Sequence, residues 1–212
     1  MSLLTYRVVL MLLIISMTHV SSGQQRAPSA VWLFPAVSWR ASDNLRWQGQ
    51  LGYNHYFRMG LFYPQAFITV HKNIVLNPAY LFLVQKKEGV PAVQEHWLMN
   101  AVILQAARKR FAADDRNMLY NRFTVGAPAR HYYRNRLRIA QSLKAGTATI
   151  RLYAFDEIYY FFNDHNLSRN RAACGISSDL TAHINADIAY IRQWDRYGVN
   201  LNLFFITGTW QF

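Results

Sequence analysis

The sequence predicts an all-β protein: an antiparallel up-and-down transmembrane β-barrel of twelve strands, with ten as the fallback count. Three observations predict it. Segments with period-2 alternation of side chains recur along most of the chain, divided by short polar turns. An apolar leader stands at the front. The last segment sets Phe204, Ile206, Gly208, Trp210 and Phe212 against Thr207, Thr209 and Gln211, and the sequence stops on an aromatic. Successive side chains of a strand point to opposite faces, so such alternation offers one face to lipid and one to a polar interior.

Residues 1–23 read as a secretory signal peptide. Arg7 gives a charged start, an apolar run follows from Val8 to Met17, and Ser21 and Gly23 set small residues at a cleavage site before Gln24. The run is shorter than the roughly 20 apolar residues of a spanning helix. No Cys follows it to carry a lipid anchor. Residues 24–212 are then one exported domain, expected in the bacterial outer membrane.

The strand segments follow in order. Val31–Arg40 comes first. Asp43-Asn44 then opens Leu45–Phe57. Lys72-Asn73 divides Leu61–His71 from Ile74–Gln85, and Lys86-Lys87-Glu88-Gly89 leads to Val93–Ala107. Ala113-Asp114-Asp115 reads as a turn before Met118–Val125. Gly126-Ala127-Pro128 precedes His131–Leu143, Lys144-Ala145-Gly146 precedes Thr149–Phe162, and Asn163-Asp164-His165-Asn166 precedes Ser168–Leu180. Ile184–Arg192 and Asn200–Phe212 complete the set. These segments number eleven. A bacterial barrel with both ends in the periplasm needs an even number, hence the expectation of twelve.

Composition narrows the function. Hydrophobic residues make up 52% and aromatics 15%, far too apolar for a disordered chain. The formal net charge of +12 suggests nucleic acid, but an exported protein does not meet it in the cytoplasm, so no nucleic-acid partner is expected. The single Cys174 rules out a disulfide framework and a Cys-rich zinc site, and reads as a small buried residue.

Charge and alternation together mark a candidate lumen. Arg134, Arg136 and Arg138 share one face of their strand, opposite Leu137 and Ile139. Arg151 and Glu157 share a face with Tyr153 and Phe155; Arg169 and Arg171 share one with Ala173 and Gly175. With Glu95 these form the candidate lumen set. Paired with Glu95 and Glu157, the arginines make a structural plug, since small barrels fill their interior with side chains. Six Arg against two Glu leave positive charge over, which keeps an anion-selective pore or an anionic-ligand site open. Phe204, Ile206, Trp210 and Phe212 form the candidate assembly signal, the kind of closing strand read by the outer-membrane assembly machinery.

Several short sequences, taken in order, carry a family resemblance: Glu95-His96-Trp97, Asp115-Arg116-Asn117 leading to Asn121-Arg122-Phe123, Tyr132 to Arg138, Asp156 to Phe161 followed by Asn170-Arg171, and Ala189-Tyr190-Ile191. This order resembles the bacterial family called domain of unknown function 2490, most clearly over 93–212. The resemblance implies a leader and an outer-membrane β-barrel, and it implies no reaction.

No enzyme is expected. His165 with Ser168 and Asp164 reads as a polar turn, and no Gly-x-Ser-x-Gly elbow occurs. No pair of His has metal-ligand spacing, so no metal or cofactor is expected. Lys86, Lys87, Arg108, Lys109, Arg110 and Arg116, read as lying in or near turns, are candidates for contact with lipopolysaccharide phosphates. Two other readings stay open: an exported soluble β-sandwich or lipocalin-like ligand-binding protein, and an outer-membrane lipid-modifying enzyme.

Overall fold

A computed structural model describes residues 27–212 apart from Thr147. The leader expected over 1–23 lies outside the described residues. The described chain forms eleven strands: β1 (Ser29–Ser42), β2 (Leu45–Asn54), β3 (Met59–His71), β4 (Ile74–Lys87), β5 (Val90–Arg108), β6 (Phe111–Thr124), β7 (Arg130–Ala145), β8 (Ala148–Phe161), β9 (Asn166–Asp179), β10 (Ile184–Asp195) and β11 (Leu201–Gln211). Each pairs with its sequence neighbour, and β1 pairs with β11 to close one barrel.

The expected twelve strands are corrected to eleven. The even count rested on an antiparallel closing pair. Here β1 and β11 run parallel, from Ser29 beside Asn202 to Ser38 beside Gln211. An odd sheet closes in this way without a further strand, and every other pair is antiparallel. β1 therefore starts at one rim, the N-terminal rim, and β11 ends at the other, the C-terminal rim.

Turn composition sets the hairpins. At the C-terminal rim the links among the described residues are short: 43–44, 72–73, 109–110 and 180–183. At the N-terminal rim 125–129 and 196–200 are longer, and 55–58, 88–89 and 162–165 complete the set. Gly89 and Gly126 take φ of 72° and 78°, where a side chain is disfavoured.

One expected turn is corrected. Ala113-Asp114-Asp115 lies inside β6, and the turn is Lys109-Arg110, with Lys109 at φ 55°. Adjacent aspartates are poor strand formers in isolation, but here each faces a partner. Asp114 meets two arginines within the barrel, and the outward Asp115 accepts from Asn117 and Asn135. Arg116, read as near a turn, is buried in the same strand.

The two faces differ as the alternation requires. On the outer wall each strand contributes an exposed large apolar residue, from Val31, Leu51, Phe62, Leu76, Val102 and Leu119 to Leu137, Leu152, Ile176, Ile188 and Phe204. These residues form an apolar belt around the outer wall. It is interrupted on β6–β9, where Asn117, Tyr133, Asn135, Asp156 and Asn170 face outward and bond to one another or to Asp115. Cys174 is corrected too. It alternates with the buried Ala173, faces outward beside Tyr190 and Ala154, and is half-buried.

Candidate functional site

The inward face is a filled lumen in one part and a hollow in another. On the filled side, Trp97, Tyr120, Tyr132 and Phe161 stack across β5, β6, β7 and β8, with centroids 5.4, 4.8 and 4.6 Å apart in sequence. Inward cross-strand positions bring these rings face to face, and each such pair contributes about 0.5–1.5 kcal/mol beyond area burial. Met99, Met118, Leu81 and Leu83 pack beneath them. A second apolar cluster, with Ala30, Ile191, Leu201 and Leu203, fills the space inside the closing seam.

Charge is threaded between these clusters. Glu157 is 1% exposed. It accepts from Arg134, from Arg171 at 3.3 Å and from the Tyr159 hydroxyl at 2.5 Å. Three guanidiniums, of Arg134, Arg169 and Arg171, each lie 5.3 Å from the Tyr159 ring centroid, near its electron-rich π-face. Arg169 also pairs with Asp195 at 2.5 Å, and Arg171 donates to Gln193 at 2.8 Å. Glu95 accepts from Arg122 and from the Trp97 indole at 2.9 Å. The carboxylates are buried, and each holds at least one Arg.

The hollow opens at the C-terminal rim inside β1–β7 and measures about 890 Å³. Arg40, Arg46, Lys72, Arg116, Arg136 and Arg138 line it, against Asp43 and Asp114. Arg136 and Arg138 share Asp114 at 3.0 and 2.6 Å. Arg46 donates to Ser38 and Gln48 and lies 4.0 Å from the centroid of Phe67. Arg116 donates to Asn77 and lies beside Tyr63.

The family can now be placed. A profile described as protein of unknown function (DUF2490) matches residues 26–202. The chain belongs to the DUF2490 family. No curated protein and no solved structure matches it.

In this DUF2490 protein the candidate residues divide between the two regions. Arg134, Arg169, Arg171, Glu157 and Glu95 belong to the filled part; Arg136 and Arg138 line the hollow. Arg151 faces inward near Asp187, outside the hollow. The register sets Arg136 directly opposite Glu157, yet Glu157 bonds the diagonal neighbour Arg134. Phe204, Ile206, Trp210 and Phe212 are all exposed on the outer wall, with Trp210 and Phe212 rings 6.1 Å apart.

Several members of the site were missed by sequence reasoning: Asp114, Arg116, Arg122, Arg46, Asp195 and Tyr159. The alternation Asp114, Arg116, Met118, Tyr120, Arg122 becomes visible once 111–117 is read as strand, because all five share one face. The residues read as a polar turn, His165, Ser168 and Asp164, divide between the β8–β9 turn and β9. Ser168 is buried in β9 and donates to the Tyr159 carbonyl at 3.3 Å, whereas His165 sits in the turn at φ 53°. Among the described residues no group of three or more His, Cys, Asp or Glu is placed to hold a metal.

Proposed function

We propose that this protein is a non-enzymatic barrel of the bacterial outer membrane whose lumen is closed by its own side chains. The observation that carries the reading is the Glu157 network. A carboxylate 1% exposed, held by two arginines and by Tyr159, whose ring meets the stacked aromatic row edge-on, supports a lumen filled on this side. The apolar outer wall and the exposed aromatic face of β11 support membrane assembly. The shorter links at the C-terminal rim match the periplasmic side of such barrels, which turns the 890 Å³ hollow toward the periplasm. In that orientation Lys86 stands at the outer rim, where lipopolysaccharide phosphates lie, whereas Lys109 and Arg110 stand at the inner one.

Cell fractionation with an unboiled gel tests compartment and closure together: the folded protein is expected in the outer membrane and shifts on boiling. Deleting Phe212 is expected to block assembly and leave export intact. Normal amounts of heat-shifting protein after that deletion would count against the reading. A second reading, weak anion conduction, is favoured by the excess of Arg in the lumen. Planar bilayers decide between them. Folded protein is expected to carry no current, and a small anion-selective current would establish the second reading instead.

A further inference from the structure

The hollow at the C-terminal rim carries a charge that the protein does not neutralise. Four guanidiniums, of Arg46, Arg116, Arg136 and Arg138, converge on it from β2, β6 and β7. One lumen carboxylate, Asp114, serves two of them. The hydrogen-bonding neighbours of Arg46 and Arg116 are neutral, Ser38 and Gln48 for the first and Asn77 and Tyr63 for the second, with Glu157 within charge range of Arg116 but bonded to Arg134 and Arg171. Among the described residues the buried Nε–H groups of Arg116 and Arg136 have no hydrogen-bond partner, and the same holds for Arg122 and Arg134 in the filled part, so the contrast lies in the count of carboxylates. Asp43 stands at the mouth in the β1–β2 turn, opposed there by Arg40 and Lys72. The filled part of the same lumen shows the contrast, since there Glu157, Glu95 and Asp195 each take up at least one guanidinium.

Uncompensated guanidiniums in a partly desolvated cavity attract anions strongly, because the field is weakly screened by the surrounding wall. The planar fork of Arg matches the spacing of oxyanion oxygens, in phosphoryl and carboxyl groups alike. Size selects further. About 890 Å³ lies within the roughly 300–1,000 Å³ of small-molecule sites and is far more than a chloride ion fills. Several charges spread over three strands call for several oxyanion groups on one solute. We propose that the hollow is a binding site for a small multivalent oxyanion, a solute with two or more phosphoryl or carboxyl groups entering from the C-terminal rim. The inference rests on the proposed reading of the chain as a folded barrel whose lumen is filled on one side, though the site itself needs only the hollow.

The test uses the folded, heat-shifting protein in detergent. Isothermal titration with inorganic pyrophosphate, with citrate, and with sodium chloride at matched ionic strength separates phosphoryl from carboxyl recognition and both from general screening. Saturable binding of pyrophosphate or citrate, absent with chloride, is expected. Arg46→Gln and Arg138→Gln are each expected to weaken it at least tenfold, since a charge-assisted bidentate contact is lost. Arg192→Gln, on the outer wall, is expected to leave it unchanged. Arg138 is the safer variant for folding, with a side chain 38% exposed, and the unboiled gel verifies each sample. Oxyanions acting no differently from chloride, or binding undiminished in the Arg46→Gln/Arg138→Gln double variant, would overturn the site. Bilayer recording on the same preparation keeps the two readings apart: a current with binding intact overturns closure alone, and silence without binding overturns the site alone.

Discussion

Arg134 and Arg136 are inward neighbours on one strand, of one residue type, and they live in different chemical settings. Arg134 holds Glu157, which is 1% exposed, beside the Tyr159 ring, and that ring meets the stacked row edge-on at Tyr120. Arg136 shares Asp114 with Arg138 at the wall of a hollow. Glu157 stands opposite Arg136 in register but leans to Arg134. That single diagonal choice places Glu157 with Arg134 and Arg171 and leaves Arg136 to share Asp114 with Arg138. Arg134 lies where three carboxylates, Glu95, Glu157 and Asp195, serve the four arginines Arg122, Arg134, Arg169 and Arg171. Arg136 lies where one carboxylate, Asp114, serves both it and Arg138, so positive charge is left over. The filled region is therefore built for persistence and the hollow for binding, on the same strand.

The largest expected effect breaks the filled side. Arg134→Gln leaves Glu157 in a dry setting with reduced compensation, and removing one partner of a buried pair costs about 3–5 kcal/mol. Urea unfolding of the detergent-folded protein is expected to show a loss of that size. The matching Arg136→Gln is expected to be neutral or mildly stabilising in the absence of oxyanions. Equal losses for the two variants would remove the contrast between the regions.

The next effect concerns the outer wall that encloses both. Leu137, between Arg136 and Arg138, is 54% exposed, and an Arg at the midplane of a lipid-facing wall costs about 2–4 kcal/mol. Leu137→Arg is expected to lower stability in lipid vesicles by up to that amount. Spin labels at 136 and 137 check the orientation, with label 137 quenched more by lipid-dissolved oxygen. Stronger quenching at 136 would reverse the assignment of inside and outside.

A smaller effect sharpens the packing side of the comparison. A Cβ on Gly175 would stand 2.3 Å from the Tyr153 ring, so this glycine is what lets the ring lie across β9. Gly175→Val is expected to displace Tyr153 from Asp187, to which it donates at 2.8 Å, and to cost about 1–3 kcal/mol by overpacking. Near-ultraviolet circular dichroism should report the lost aromatic order, and an unchanged spectrum and midpoint would show that the ring is not held there.

The smallest effect belongs to the hollow. Asp114→Asn exchanges a shared charge for a neutral acceptor beside water, and a loss of about 1 kcal/mol or less is expected from the same urea titration. It is also expected to tighten pyrophosphate binding, because it removes the carboxylate that competes for Arg136 and Arg138.

Much of this was legible in the chain. Period-2 alternation gave the faces of Arg134 to Ile139 and of Phe204 to Phe212, because a strand has only two faces and each excludes the other's chemistry. The eleven segments were also legible, and the twelfth was added only because an antiparallel closing pair was assumed. Local composition misled at Asp114-Asp115, where tertiary partners outweigh poor strand propensity. Pair identities were not legible. Which carboxylate meets which guanidinium depends on diagonal reach across strands, as with Glu157 and Arg134, and alternation is silent about diagonals. The hollow was invisible for a related reason: it is a deficit of filling, produced by which inward side chains lean away, and no single position encodes it.

The parallel seam has a consequence for topology. Ten hairpin pairings join neighbours along the chain, but the register of β1 on β11 joins Ser29 to Asn202 across almost the whole sheet. An odd number of crossings also breaks the symmetry of sides. In any wall that separates two compartments, the backbone just before Ser29 and the backbone at Phe212 open into different ones. The two ends of the sheet are thus not interchangeable handles. A probe attached beyond one reports a different solvent from a probe attached beyond the other, and no short peptide bridge can join them without running the full height of the barrel.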